Sequence, residues 1–323
     1  MTTMTYAKAI GTALAEAMAA DECVFVMGED VGIGGGAYGA TQGLLEQFGP
    51  ERVRDTPISE SAIVGYGVGA ALAGLRPVVE LMHMDFVTYA MDQIVNQAAK
   101  LRYMFGAKAC VPLVIRTPAG GWLTAAAQHS QSLEAWFTHT PGLKVVAAAT
   151  PADVRNLLHA AIRDDNPVIV LEPLYLYEAK GEVPDEPEEI ALGRADVKRR
   201  GDDVTLVTWG GTVPIVLEAA DTLADQGIAA DVIDLLSLMP WDVEMVLSSV
   251  RRTNRAVVVH QASRRGGFGA EVAAVIAEKA FDYLDAPVAR VGALNTPVPF
   301  SPPLEEYVLP DAQRVVDAVR RMV

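Results

Sequence analysis

Two side chains in this sequence stand where chemistry is possible, Glu60 and His129. Glu60 follows the polar turn Asp55-Thr56-Pro57 and comes directly after Ser59, a good N-cap, so its carboxyl falls in the first turn of a helix. That makes it the first residue to test for chemistry, although a carboxylate there is also favourable through the helix dipole alone, by about 0.3–1 kcal/mol. His129 lies in RTPAGGWLTAAAQHSQSLEAWFTHT, residues 116–140, among Gln128, Ser130 and Gln131, with no periodic apolar partner on either side. An imidazole in such a polar loop can give or take a proton near neutral pH; the alternative is a histidine that is only exposed or structural. His83, His139, His159 and His260 take that second reading.

Other chemistries find no support. GEDVGIGGGAYG follows a strand, but Gly28, Gly32, Gly34, Gly35 and Gly36 fit no G-x-G-x-x-G register opening a helix, and the lysine of a P-loop is missing. A flexible surface loop is the better reading. RRGGFGAE, residues 264–271, lies between a strand and a helix, where backbone N–H groups and two arginines could hold an anion; a plain helix start is preferred. There is no H-x-x-x-H or C-x-x-C spacing for zinc and no G-x-S-x-G nucleophile elbow.

Alternating strands and helices must position these residues. Helix 6–19 leads to strand 23–27 and the glycine-rich loop. Helix 60–73 is followed by strand 77–81, helix 86–104 by strand 111–116, and strand 143–147 by helix 151–163 and strand 167–171. Thr150 before Pro151 reads as an N-cap with proline at the first helical position. The strands are continuous apolar runs, which predicts an α/β doubly wound domain whose parallel sheet is covered on both faces. Residues 178–202, rich in proline, glycine and charge, interrupt the rhythm. It resumes with strands 204–208, 229–234, 256–259 and 287–291 and helices 212–226, 242–252, 269–282 and 311–322, a second, smaller α/β domain. The expected division is 1–180, a linker 181–202, and 203–323. Helix 60–73 is unusual for its glycines and alanines. Each interior glycine loses up to about 1 kcal/mol against alanine, so something must approach that backbone closely.

The net charge of -15 argues against nucleic acid, which needs clustered Lys and Arg, and would suit a basic protein partner. No apolar run reaches the length of a membrane span without charge or glycine-rich interruption, and the N-terminus lacks the basic region and cleavage site of a secretory signal. Cys23 and Cys110 sit in apolar strand-like runs, as buried free thiols of a reducing compartment would. A cytoplasmic protein is expected.

Several stretches together resemble one family. They are MGEDVG at 27–32, RVRDTPISESAIVGYGVGAALAGLRPVVE at 52–80, DQIVNQAAKLRYMFG at 92–106, AAQHSQSLEAWFTHTPGLKVVAAATPAD at 126–153, AIRDDNPVIVLE at 161–172 and GGFGAEVAAVIAEKAFDYLDAPVARVG at 266–292. Collinear over nearly the whole chain, they are similar to the β subunit of the thiamine-diphosphate-dependent decarboxylating component of 2-oxo acid dehydrogenase complexes.

The resemblance implies a pyrimidine-binding domain, a transketolase-type C-terminal domain, and an α2β2 heterotetramer. The α subunit would supply the GDG…NN motif that binds the diphosphate and its Mg2+; here Gly201-Asp202-Asp203 is not followed by such a pair. It implies that Glu60 hydrogen-bonds the aminopyrimidine ring of the cofactor, that Met82 and Phe86 pack around that ring with Tyr89 as a further contact, and that His129 serves acyl transfer to a lipoyl group. As plain core residues, Met82, Phe86 and Tyr89 need no cofactor. Ala161, Ile162, Asp164 and Asn166 match a loop that holds K+ in some members, where an Asp-Asn turn closing helix 151–163 is the other reading. A lipoyl-bearing acyltransferase is the implied partner. Pyruvate is the first substrate, then acetoin, then branched-chain 2-oxo acids. TPAGGWLTA at 117–125 departs from the glycine-richer family form and leaves the substrate open. A non-catalytic partner-binding paralogue is disfavoured by the presence of both Glu60 and His129, and a self-sufficient transketolase-like enzyme by the missing motif.

Overall fold

The structure, a computed structural model, describes residues 1–323, which form two compact units: Met1–Ala119 with Trp136–Leu192, and Gly120–Ala135 with Gly193–Val323. In chain order the elements up to residue 183 are β1 (Thr2–Thr5), α1 (Tyr6–Ala20), β2 (Val24–Gly28), α2 (Leu44–Phe48), β3 (Val53–Asp55), α3 (Glu60–Leu72), β4 (Arg76–Glu80), α4 (Ala99–Met104), β5 (Val114–Ala119), α5 (Glu134–Thr138), β6 (Lys144–Ala147), α6 (Pro151–Arg163), β7 (Val168–Pro173) and β8 (Lys180–Val183). The rest are β9 (Asp196–Arg199), β10 (Val204–Thr208), α7 (Val213–Ala224), β11 (Ala230–Asp234), β12 (Ser237–Met239), α8 (Val243–Thr253), β13 (Ala256–Ser263), α9 (Gly269–Lys279), β14 (Ala289–Ala293), α10 (Pro302–Val308) and α11 (Ala312–Arg320).

The main sheet of the first unit is parallel, with strands in the order β6-β7-β5-β4-β2-β3. Its apolar runs are buried on both faces, as in β2 and β7, where every residue is buried. α3 explains its own composition. A Cβ on Gly67 would stand 2.9 Å from Leu113 Cδ1 and from Val79 Cγ1, so the close neighbour within the chain is the side-chain layer of the sheet. Ser59 occupies the N-cap position but makes no capping hydrogen bond. At α6, Thr150 accepts from the Asp153 N–H, and Pro151 is the first helical residue.

Three buried positions of this sheet are charged. Arg116 on β5 is fully buried between Glu80 of β4 and Glu172 of β7. Its Nε and Nη2 donate to the two Glu172 oxygens at 2.9 and 2.7 Å, and Nη1 donates to Glu80. The Tyr177 hydroxyl adds a 2.5 Å bond to Glu172. Burial works against the arginine cation, but Glu172 and Tyr177 hold it firmly charged.

Several sequence expectations are corrected. The single helix 86–104 is instead a 3-10 helix (Met84–Ala90), a π-helical turn (Gln93–Ala98) and α4. Phe86, Val87, Thr88 and Tyr89 are aromatic or β-branched and lose rotamer freedom in an α-helix. Both cysteines are free, but Cys23 is half-buried and Cys110 exposed. Each lies just outside its strand, since β2 begins at Val24 and β5 only at Val114. The charged interruption carries strands: β8 pairs antiparallel with β1, and β9 antiparallel with β11. Their lysines, arginines and acids suit sheet edges and hide them from a search for apolar runs.

The second unit holds a five-stranded sheet in the order β14-β13-β10-β11-β9, parallel except at β9. Its core gathers Val204, Leu206, Val216, Leu223, Val232, Val257, Val259, Val315 and Val319. The glycine-rich turn RRGGFGAE has a packing explanation. A Cβ on Gly267 would lie 2.7 Å from His260 Cε1, and one on Gly269 2.4 Å from His260 Cδ2, so both glycines close over that ring. Trp209 stacks on the imidazole, centroids 5.3 Å apart and 3° from parallel. Neither ring nitrogen of His260 has a hydrogen-bond partner.

Burial, helped by the positive charge of Arg290, pushes the His260 pKa from 6.5 down to about 4. Between those values the unfolded chain binds a proton that the folded ring refuses, so this contribution is complete above pH 6.5 and is lost as pH falls toward about 4. At about 1.4 kcal/mol per pKa unit, the loss over the window is about 3 kcal/mol. Urea unfolding at pH 7 and pH 4 should show the wild type losing about that much more than His260→Phe; equal losses in both proteins would refute the assignment.

Candidate functional site

The sheet order of the first unit creates a switch point at β2. From β2 the chain moves to β3 on one side, then crosses through α3 to β4 on the other. In open parallel sheets the crevice at the carboxyl ends of such strands is where ligands bind. Three sequence segments meet those ends: Glu29 after β2, Glu60 at the start of α3 after β3, and Met82–Phe86 after β4.

Glu60 is 8% exposed and Glu29 7%. The Glu29 carboxyl is pushed above its usual range, first by burial, then by the charges of Glu60 and Asp30. Two carboxyls that feel one another at a strand end are suited to sharing and passing protons. Glu29 escapes a reading from sequence because it sits inside the glycine-rich loop; its only signal is an acid directly after a wholly apolar strand.

That loop is tethered rather than flexible. The Asp55 carboxylate accepts from the N–H groups of Gly32 and Ile33 at 2.6 and 3.1 Å, Thr41 Oγ1 donates to the Val31 carbonyl at 2.7 Å, and Gly36 N–H donates to the Asp30 carbonyl at 2.9 Å. Beside it, Met82 and Phe86 are half-buried. His83, read from sequence as merely structural, is buried against this segment: its ring meets Phe86 edge-on at 5.9 Å, and its Nε2 lies 2.5 Å from the Tyr38 hydroxyl. Tyr89 is separate in character, 71% exposed and reachable from outside the chain.

Ala161, Ile162, Asp164 and Asn166 form a turn closed by side-chain cations. Arg76 Nη1 donates to the Ile162 and Asp164 carbonyls at 2.9 and 3.3 Å, the Asp164 N–H takes the Ala161 carbonyl at 3.2 Å, and Lys144 pairs with the Asp164 carboxylate. Asp164 Oδ1 also accepts from the Asn166 N–H and side-chain amide, both at 2.8 Å. Burial alone would raise the Asp164 pKa, but Lys144 and Asn166 outweigh it and hold the carboxyl below its usual range. These contacts make the Asp-Asn turn that closes α6.

His129 belongs to the second unit. It is half-buried in a loop whose backbone is strained: Trp122, Thr124 and Ala126 have φ of 68°, 54° and 62°. Left-handed non-glycine residues cost on the order of 1–3 kcal/mol each and persist only where neighbours impose them. Glu305 on α10 is such a neighbour. It is 3% exposed, and its two oxygens accept from the Trp122 and Thr124 N–H groups, both at 2.9 Å. Gly120 N–H donates to the Gln131 carbonyl at 3.0 Å and closes the loop at its base. The loop borders a cavity of about 330 Å³, into which Ser130 and Gln131 face together with Gln261 and Thr296. Neither α10 nor Glu305 was expected from the sequence, because PPLEEYV is short and begins with two prolines.

Comparison with known proteins identifies the domains along the chain. Residues 2–180 match the transketolase pyrimidine binding domain, and residues 193–315 match the transketolase C-terminal domain. The chain is 46% identical over 327 residues to the β subunit of the acetoin:2,6-dichlorophenolindophenol oxidoreductase of Bacillus subtilis (strain 168), covering 98% of this chain and 96% of that one. It is also 46% identical over 319 residues to the pyruvate dehydrogenase E1 component subunit beta of Rickettsia felis, covering 99% and 98%. Among solved structures, a split-gene transketolase determined as an inactive β4 tetramer superposes with a TM-score of 0.81 at 28% identity, covering 99% of this chain and 98% of that one. With both transketolase domains in order and near-half identity along its length, the chain belongs to the family of β subunits of pyruvate, acetoin and related 2-oxo acid dehydrogenases.

Proposed function

We propose that this chain is the β half of a thiamine-diphosphate site completed by a separate α subunit, in an α2β2 enzyme that acts on a 2-oxo acid and passes the acyl group to a lipoyl domain. The observation that carries the reading is the buried Glu60 carboxyl at the switch point, close enough to Glu29 to raise its pKa. Residues 1–180 then form the pyrimidine-binding domain, 181–202 the connection, and 203–323 the C-terminal domain. Pyruvate stays first among substrates and acetoin second, since equal identity to the two relatives does not separate them. No helix is long and apolar enough to cross a membrane, and we place the enzyme in the cytoplasm.

The residues at the switch point fit an aminopyrimidine: Glu60 offers a carboxyl to a ring nitrogen, while Met82 and Phe86 offer apolar surface to the ring. Thiamine diphosphate, when bound, supplies a thiazolium carbon as the nucleophile toward the substrate carbonyl. Glu60 holds the proton at the pyrimidine nitrogen. Glu29, its carboxyl raised above the usual range by burial and by the Glu60 charge, stands beside Glu60 as a second acid. His129 moves a proton as the lipoyl dithiolane opens. The diphosphate and its Mg2+ fall to the α subunit; no group of three or more His, Cys, Asp or Glu side chains here is placed to hold a metal.

The purified chain should show no thiamine-diphosphate-dependent turnover until its α partner is added; robust activity from the chain alone would sink the two-subunit reading. In the reconstituted complex, Glu60→Gln should lower turnover by about 10²–10⁴-fold, the usual weight of a positioned acid or base, with assembly unchanged on size exclusion. Unaltered rates would refute its role. Glu305→Ala strands two N–H groups and frees the His129 loop. Misplacement of that kind should slow lipoyl-domain acylation by about 10²-fold while 2-oxo acid oxidation by an artificial acceptor changes little. A parallel fall in both would mean that Glu305 acts only on stability.

A further inference from the structure

The carboxyl ends of β13 and β14 in the second unit open onto a cavity of about 370 Å³ whose charge opposes that of the protein. The chain has 26 Lys and Arg against 41 Asp and Glu. In this cavity Arg264, Arg265, Arg290, Arg314 and Arg321 face a single acid, Asp317. Five arginines against one aspartate leave four net positive charges in one concavity. Folded surfaces normally interleave charges of both signs, because like charges gathered together repel unless an anion sits among them.

The arginines divide by how they are held. Arg290 is half-buried and donates to the Arg264 carbonyl at 2.9 Å. Arg314, also half-buried, donates to the Leu309 carbonyl at 3.1 Å and to the Tyr307 carbonyl, and its Nε lies 3.5 Å from Asp311. Those two are fixed in place. The guanidinium groups of Arg264, Arg265 and Arg321 are exposed and make no hydrogen bond or ion pair within the chain. They are free to close on a ligand. All five are arginines, whose planar forks match phosphate oxygens in pairs, where lysine offers only a point charge. The volume lies within the range of about 300–1,000 Å³ typical of small-molecule sites, and the place, outside the carboxyl ends of parallel strands, is where such sheets bind ligands.

We propose that this cavity binds a small molecule carrying two or more phosphate groups. A single phosphate would leave positive charge unmatched, whereas a diphosphate or triphosphate brings about three or four negative charges to the four on offer.

The test uses the full chain and inorganic pyrophosphate as the probe, at fixed ionic strength near 0.15 M, followed by titration calorimetry and by thermal unfolding. Saturable binding at one site is expected, with a rise in Tm and at least tenfold weaker binding by sulfate at matched ionic strength. Arg265→Ala/Arg321→Ala, which removes two exposed side chains without internal partners, should weaken pyrophosphate binding at least tenfold and leave the unliganded Tm within a degree or two. Absence of saturable binding, or equal affinity in the double variant, would overturn the proposal. So would tight binding of an oligoglutamate peptide under conditions where pyrophosphate does not bind, which would give the cavity to an acidic protein segment.

Discussion

A single buried guanidinium holds the first unit in register. Arg116 reaches Glu172 with two parallel bonds and Glu80 with another, so β7, β5 and β4 are clamped side by side near their carboxyl ends. Tyr177 joins through its hydroxyl, and Tyr6 at the start of α1 stacks on Tyr177 with ring centroids 5.8 Å apart. A buried ion cluster contributes little net stability, but removing one member leaves unpaired charge worth about 3–5 kcal/mol. Its value is therefore one of position. Glu80 ends β4, and the segment that begins two residues later carries Met82, His83 and Phe86, so the clamp sets where they start.

The two units solve the same problem differently. In the first, carboxyls emerge at a topological switch point because the chain reverses its direction of growth across the sheet. In the second, His129 lies on a loop that no regular element would enforce, with three non-glycine residues in left-handed conformation within five positions. Glu305 counters that strain with two charge-assisted bonds to backbone N–H groups. The strained loop and its clamp come from stretches of sequence about 180 residues apart.

That separation explains what could be read in advance. The wholly buried strands β2, β10 and β11, and α6 with its Thr150-Pro151 start, are local patterns and were legible. Glu60 was legible as the start of α3, though only the family resemblance gave it a role. Glu29 was hidden in glycines, Glu305 in a short helix begun by prolines, and the Arg116 cluster in partners 36 and 56 residues away. β1, β8 and β9 were missed for a related reason: β1 and β8 find each other from opposite ends of the first unit, β9 adds to an edge of the second sheet, and none of the three carries an apolar period. The glycines at 267 and 269 looked like an anion cradle because sequence shows a turn but not the His260 ring beneath it.

The surface beyond the switch point bears on why the reading requires a second chain. Tyr103, Met104 and Phe105 at the end of α4 are 87%, 68% and 57% exposed, and Tyr89 lies earlier in the same segment. Single exposed apolar residues need no explanation, but three consecutive large ones are an adverse surface for a chain that works alone. α3 adds Tyr66 and Leu72 on its outer side, where its inner side already fills the gap to the sheet at Gly67. Glycine at 67 thus serves the fold, whereas exposed Gly69, with nothing within 4 Å of its would-be Cβ, is left for something outside the chain to approach. The same helix carries Glu60 at its first residue. A partner seated against its outer side would meet the carboxyl end of the sheet, where a β subunit lacking its own diphosphate motif needs the other half of its site.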